Sequence, residues 1–568
     1  MIRTTAKLLA MVMLITMLAA CGAGAPAAKT EPAAPVSGDP AHDPMNPPVE
    51  LSTAFRTVAN TVFANGHDWE NTVWTPIYKN LGITVKFLWT EDGNYYDERL
   101  NLAISTNEIP DFFRAYDPQV NMMLKGGMLC DMTDAYNTYA SEYTRFAMEA
   151  DGGVYMAGGY INGKLMALPR EAEIKKDQSE LLWIRKDWLE NVGLERPNTL
   201  EEFLAVCDAF TNGDPDKNGK ADTYAMGAVG INNLIKDWGG FRGLFIMYDV
   251  QPGVFFSDVP YFEKNAEGEI IWSASKPGMA DALRNLQYMY SKGYLAKDFP
   301  TMDVDVAMIE DVTSGKCGMF FGPDWCAGWP LDSCRENNPK ADWIAIPTPT
   351  ATGKPTRLEF YRPNSSWTLV SSKCAHPEAV IKMLNAMCDI YYSPDRFKLR
   401  KDIEAAPGVT DAGMGSVYAP MLYRAGVFAV DDYFRMVEAV KKNDPSGLQA
   451  SEMNTWQNIQ DFKTNPGSGV AWAENFYSIH EPGHAYYSIY EELTDDRVQR
   501  NEYMGLMTEN MAKYMPQYRK NAEELIINII LGKKQPEDWM SFINDVWPGM
   551  GGDEILKEVR TLAAGNKN

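Results

Sequence analysis

The sequence has no surplus of positive charge, few histidines, no paired-cysteine motif and, beyond its first twenty residues, no apolar run long enough to cross a membrane. Each absence removes a class of function. With 53 Lys and Arg against 76 Asp and Glu, the net charge is −23, so there is no basic face to neutralise phosphates and nucleic acid is excluded as a partner. Beyond Cys21 the cysteines stand at 130, 207, 317, 326, 334, 374 and 388 without a CxxC pair. That pattern argues against a disulfide framework or a zinc site, although Cys317, Cys326 and Cys334 are close enough in sequence to allow one bridge. The others read as small buried hydrophobes. Among five histidines, His480-Glu481-Pro482-Gly483-His484 fits the HExxH string of zinc proteases. That chemistry needs both histidines on one helix, and an interior Pro followed by Gly breaks helices. Paired catalytic carboxylates cannot be read from so acidic a chain without geometry. The most apolar late run, Leu525 to Leu531, is followed by Gly532-Lys533-Lys534, which predicts a buried helix with a glycine cap and cations at its negative pole.

What is present begins at the amino terminus. Arg3 and Lys7 precede an apolar core, Leu8 to Leu18, that is shorter than the roughly 20 residues of a spanning helix. Residues 1–20 therefore read as an export signal. It closes on Leu18-Ala19-Ala20-Cys21-Gly22, which resembles a bacterial lipobox and makes Cys21 the lipidated first residue of the mature chain. Residues 21–50, rich in Ala, Pro, Gly and Ser, cannot bury enough surface to fold and read as a flexible tether.

The roughly 515 residues that follow exceed one hydrophobic core, so at least two lobes are expected. Gly82 to Trp89 reads as a strand, Tyr95 to Ile104 as a helix, and Pro110 to Phe113 as the next strand. That order predicts a parallel sheet with helices on its faces and ligands beyond the carboxyl ends of its strands. The loops expected there are Gly66 to Trp69, Trp89 to Asp92 and Tyr116-Asp117. Leu181 to Ile184 is a buried strand, Asp187 caps a helix that Gly193 ends, and Thr199 with Glu202 has capping-box spacing for another.

The lipobox and tether, then Asn162 to Pro169, Leu182 to Leu189 with Gly193-Leu194, and Pro197 to Phe203 resemble the extracellular solute-binding proteins of bacterial carbohydrate ABC importers. Ser314 to Met319, His376 to Val380 and Gly551 to Glu558 are similar to that family too. The resemblance implies a periplasmic-binding-protein-like α/β fold, two lobes with a cleft joined by crossing strands. Carried onto this chain, the crossings fall near Ala167 to Pro169, Gly315-Lys316 and Trp367 to Leu369. The lobes are then 51–168 with 317–365, and 169–316 with 366–568.

Two constellations follow. Asp214, Asp216, Asn218, the Lys220 carbonyl and Asp222, with Gly219 at the turn, match the first part of an EF-hand loop and select Ca²⁺ as the candidate structural cofactor. Ala225 stands where the bidentate glutamate belongs, so the site is incomplete on its own. Similar loops bind calcium in some relatives. A sugar site combines aromatic platforms with fixed hydrogen-bonding groups. Asp68, Trp89, Tyr116, Asp117, Arg170, Trp238, Asp324, Trp325 and Arg362 are the candidates, at strand ends, loops or crossings. Trp183 and Trp188 belong to the core. Arg170 and Arg362 leave room for a uronate.

The resulting expectation is a non-catalytic, lipid-anchored monomer that captures an oligosaccharide and delivers it to an ABC permease. Two rivals stay open: a glycan-degrading surface enzyme, and a binding lipoprotein for a peptide or other solute.

Overall fold

The protein's structure is a computed structural model. It describes residues 38–57, 72–150, 152–172, 180–228, 230, 234, 238–251, 260–302, 307–360, 366–396, 398–399, 419–421, 423–425, 429–449 and 452–565. The export signal, Cys21, Asp68 and Arg362 lie outside the described residues. Contacts divide the chain into a unit of 1–39 and a unit of 40–568.

Eleven strands carry the second unit's framework: β1 (Val49–Thr57), β2 (Ile83–Asp92), β3 (Phe112–Ala115), β4 (Leu168–Pro169), β5 (Leu181–Arg185), β6 (Tyr224–Met226), β7 (Cys317–Gly322), β8 (Trp343–Pro347), β9 (Leu358–Phe360), β10 (Trp367–Val370) and β11 (Val498–Arg500). Two main sheets result. The first has the order β2-β1-β3-β10-β4 and the second β8-β5-β7-β6. Only part of each is parallel. β1 runs parallel to β2 and β3, but β10 is antiparallel to β3 and β4; β5 is antiparallel to β7 and β8, while β6 is parallel to β7.

Both sheets are covered on both faces, as alternation along a strand requires. Leu182 and Ile184 of β5 enter one core with Phe203, Val206, Cys207 and Phe210 of the helix Leu200–Asn212. Leu181 and Trp183 enter another, with Trp472 and Phe476. In the first sheet Leu51 and Phe112 pack under the helix Pro377–Tyr392, and Ala54, Phe113 and Ala115 face a core built on Tyr96 and Leu100. The capping box forms, with Thr199 accepting from the Glu202 N–H and Glu202 from the Thr199 N–H.

The strands divide differently from the expected pairing of 317–365 with 51–168. β7 and β8 hydrogen-bond to β5 and so lie in the second sheet, whereas β10 lies in the first. Gly315-Lys316 is accordingly no crossing. The six residues of β7 are all buried and find their apolar partner in the equally buried β5. The chain instead leaves the first sheet after Pro169 and re-enters it at Trp367.

Three local expectations are also corrected. The expected tether is ordered from Pro40: Lys382 donates to the carbonyls of Pro40 and Asp43 and Asn385 to that of Ala41, so polar contacts replace the missing apolar ones. Residues 89–92 extend β2 rather than form a loop, because Trp89 to Asp92 continue its pairing with β1. Asp187 does not cap its helix. Arg185 occupies that position, and Asp187 accepts two hydrogen bonds from its guanidinium at 2.7 and 2.6 Å. Cys317, Cys326 and Cys334 are all buried among the apolar side chains of one core.

Candidate functional site

Strand β7 ends at Gly322, and Pro323 turns the chain into a short helical turn, Asp324–Ala327. A Cβ at Gly322 would sit 2.7 Å from Cys326 Sγ and 3.3 Å from the Trp238 ring, so only glycine lets that indole lie against the strand end. The Gly239 N–H donates to the Phe321 carbonyl at 3.0 Å and fixes the Trp238 segment there. Three tryptophans then meet. Trp238 is 5.9 Å from Trp325 and 5.4 Å from Trp329, ring to ring, and Trp325 lies 6.0 Å from Trp329 at 31°.

Trp238 is only 7% exposed, but Trp325 and Trp329 are 42% and 40% exposed. They form a platform of open indole faces on a buried base, and Trp238 Nε1 makes no hydrogen bond among the described residues. Beside them, burial pushes the Asp324 carboxyl up to about 6 while a hydrogen bond from Tyr486 partly offsets this. The aromatic surface continues. Gly328 donates its N–H to the Tyr477 hydroxyl at 2.9 Å, and Tyr486 lies 5.5 Å from Tyr477 and 5.9 Å from Tyr490. Exposed rings, a carboxylate and an unpaired buried donor are the groups that hold a polyhydroxylated ligand.

Of the expected residues, Trp238, Asp324 and Trp325 therefore come together. Trp89, Tyr116, Asp117 and Arg170 form a separate group on the first sheet. Trp89 packs 5.1 Å from Tyr96 under the Arg99 guanidinium, and Arg114 donates to the Tyr116 hydroxyl at 2.8 Å. Asp117 and Arg170 are 7% and 6% exposed. Both oxygens of Asp117 accept internal hydrogen bonds, from Trp367 Nε1 and the Met507 N–H, and Arg170 donates to Thr368 Oγ1 at 3.1 Å. Trp329, Tyr477 and Tyr486 were missed by sequence reasoning. Trp325 and Trp329 are four residues apart, the spacing that puts two side chains on one side of a helical turn, and this was the available signal.

The loop at Asp214 folds around its own acids. Asp214 accepts from the Asn218 and Gly219 N–H groups, and Asn218 Nδ2 donates to Asp216 at 2.7 Å and Asp222 at 3.1 Å. Among the described residues, no group of three or more His, Cys, Asp or Glu is arranged to hold a metal ion. His480 is engaged with Tyr433 and Glu491, and His484 with the Glu481 carbonyl, in an irregular segment. No helix among the described residues is long and apolar enough to cross a membrane.

Comparison with known proteins agrees with this architecture. The family model described as bacterial extracellular solute-binding protein matches residues 68–388. The lipoprotein LipO of Bacillus subtilis is 29% identical over 244 residues, 43% of this chain and 44% of that protein. The polygalacturonan/rhamnogalacturonan-binding protein YtcQ of the same organism is 27% identical over 249 residues, 43% of this chain and 45% of that one. The match thus spans less than half the length of these curated relatives. An S. pneumoniae ABC-transporter substrate-binding protein, FusA, solved as an EF-hand mutant with fructo-nystose, superposes with a TM-score of 0.62 at 14% identity, covering 91% of this chain and 99% of that one. With the family model matched over more than half of its length, the chain belongs to the bacterial extracellular solute-binding proteins.

Proposed function

We propose that this protein is the substrate-binding lipoprotein of an ABC importer, capturing an oligosaccharide and delivering it to a membrane permease without chemical change. The observation that carries this reading is the platform of Trp238, Trp325 and Trp329 beside Asp324 at the carboxyl end of β7, where α/β sheets hold their ligands. Flat C–H faces of sugars stack on such rings, and hydroxyls bond to carboxylates and indole N–H groups. The names of YtcQ and FusA, which bind glycans, support the ligand class.

In this reading the two sheets are the cores of two lobes, and Trp89, Tyr116 and Arg170 present the opposing wall. Closure of the lobes on ligand is the shape change a permease reads. Cys21 carries the lipid that holds the protein, as a monomer, at the outer face of the membrane, in keeping with the lipoprotein LipO. Asp214, Asp216, Asn218, the Lys220 carbonyl and Asp222 would hold a structural Ca²⁺. Their oxygens suit a hard cation, but Ala225 is buried in β6 and supplies no carboxylate, so water completes the shell.

A thermal-shift screen across glycan oligomers tests the reading. A ligand at one hundred times its Kd stabilises the folded state by about 2.7 kcal/mol. A rise in melting temperature with a glycan recovered intact is the expected result. Stabilisation by peptides alone, or cleavage of the glycan, would overturn it.

A further inference from the structure

The helix Arg242–Met247 starts just after Trp238 and ends at a cavity of about 770 Å³. The wall of this cavity holds four charged side chains closed into a ring. Arg357 bonds through Nε to Asp249 and through Nη2 to Glu263 at 2.8 Å; Lys276 Nζ lies 3.0 Å from Glu263 and 2.9 Å from Asp249.

The ring is held in place from behind. Glu263 is 2% exposed and also accepts from Ser273 Oγ at 2.7 Å and Gln499 Nε2 at 2.8 Å. Burial alone would raise its carboxyl, but Lys276, Ser273 and Arg357 hold it below the ordinary glutamate value. Asp249 sits at φ +59° in the turn that ends the helix, which aims its carboxylate at both cations.

Inside the ring the charges balance, yet the cavity as a whole does not. Lys264 and Lys354 also line it, giving four cations against two carboxylates in a chain that is strongly acidic. Lys264 is paired with Glu502, whereas exposed Lys354 makes no ion pair among the described residues. Tyr248 and Ile271 supply apolar wall, Thr352 and Asn265 hydroxyl and amide groups. The volume falls within the range of small-ligand sites.

A rigid set of donors and acceptors, an aromatic wall and an unpaired cation match a sugar that carries a carboxylate. We propose that this cavity is a second subsite, separate from the tryptophan platform, that takes an acidic sugar residue. The proposal rests on the glycan-binding reading and adds to it a charge preference with its own residues.

The test is a calorimetric titration of the full-length protein with trigalacturonate and with a neutral galactose trisaccharide, comparing wild type, Lys354→Glu and Trp325→Ala. Lys354 is exposed and its replacement leaves the core intact. Lys354→Glu is expected to weaken trigalacturonate at least tenfold and leave the neutral trisaccharide unchanged, and added salt to weaken trigalacturonate alone. Trp325→Ala is expected to weaken the neutral trisaccharide about tenfold, which Lys354→Glu does not. Trigalacturonate affinity that is insensitive to Lys354→Glu, or absent while neutral glycans bind, overturns the acidic subsite and leaves glycan capture standing. Failure of every glycan to bind overturns both.

Discussion

Trp367 donates its indole N–H to Asp117 Oδ1 at 2.7 Å, and the other oxygen of the same carboxylate accepts the Met507 backbone N–H at 2.8 Å. One buried acid thus ties strand β10, the start of the helix Asp117–Lys125 and the segment after β11. That segment joins two cores. Tyr503 packs with the second sheet and Leu506 with the first. Asp117→Asn presents a donor to one of two N–H groups and should cost about 1–3 kcal/mol of stability. Urea denaturation reads this, while glycan affinity of the folded fraction stays near wild type. A large loss of affinity with unchanged stability would instead make Asp117 a ligand residue.

The fold class was legible because β5 is a continuous apolar run and helices carry their caps in sequence. Thr199 and Glu202 are the clearest case. Sheet membership was not legible, since β7 (CGMFFG) would be buried in either sheet and only the pairing with Leu181–Ile184 decides. Asp117 is a related case. An acid followed by Pro118 signals a helix start, but whether such a carboxylate faces ligand or protein depends on Trp367 and Met507, far away in sequence. The platform was half legible. Trp238 and Trp325 stood out at loops, and their contact with Trp329 is a tertiary fact.

Trp325→Ala and Trp329→Ala should each weaken neutral-glycan binding by about 1–2 kcal/mol, roughly tenfold. Because both rings are about two-fifths exposed, thermal stability should change little. The double substitution should lose less than the sum, since each indole packs on the other. Titration calorimetry measures all three; full affinity in the double variant would move the site elsewhere.

Asp324 makes stability depend on pH in an unusual direction. Its carboxyl is raised to about 6 in the fold by burial, so between roughly pH 4 and 6 the native state binds more proton than the unfolded one. This contribution therefore falls as pH rises through that window. Two units would be worth about 3 kcal/mol, and partial solvent access discounts this to ~1–2 kcal/mol. Asp249 and Glu263, held low by Lys276 and Arg357 against the effect of burial, work oppositely and lose stability as pH falls below about 4. Asp324→Asn should flatten the pH 4–6 slope of the melting temperature. An unchanged slope would assign it to another group.

The loop at Asp214 offers the last prediction. Burial, then the neighbouring Asp214 and Asp222, push the Asp216 carboxyl up, against a hydrogen bond from the Asn218 N–H. A divalent cation would relieve that crowding. Half a turn of the Asn218 amide replaces the Nδ2 donor between Asp216 and Asp222 with an oxygen, in exchange for the bond that its Oδ1 accepts from the Lys220 N–H. The loop adjoins the helix Leu200–Asn212 and β6, so an ion there stabilises the second sheet's core and touches neither candidate sugar site. Calcium should accordingly raise the melting temperature, by about 2.7 kcal/mol of stability at one hundred times its Kd, and chelator should reverse it. Asp222→Ala should abolish the response yet leave glycan affinity within a factor of about two. Magnesium should act more weakly, because a flexible oxygen loop cannot enforce its tight octahedron. Identical melting with calcium and with chelator would show that the Asn218 bridge alone closes the loop.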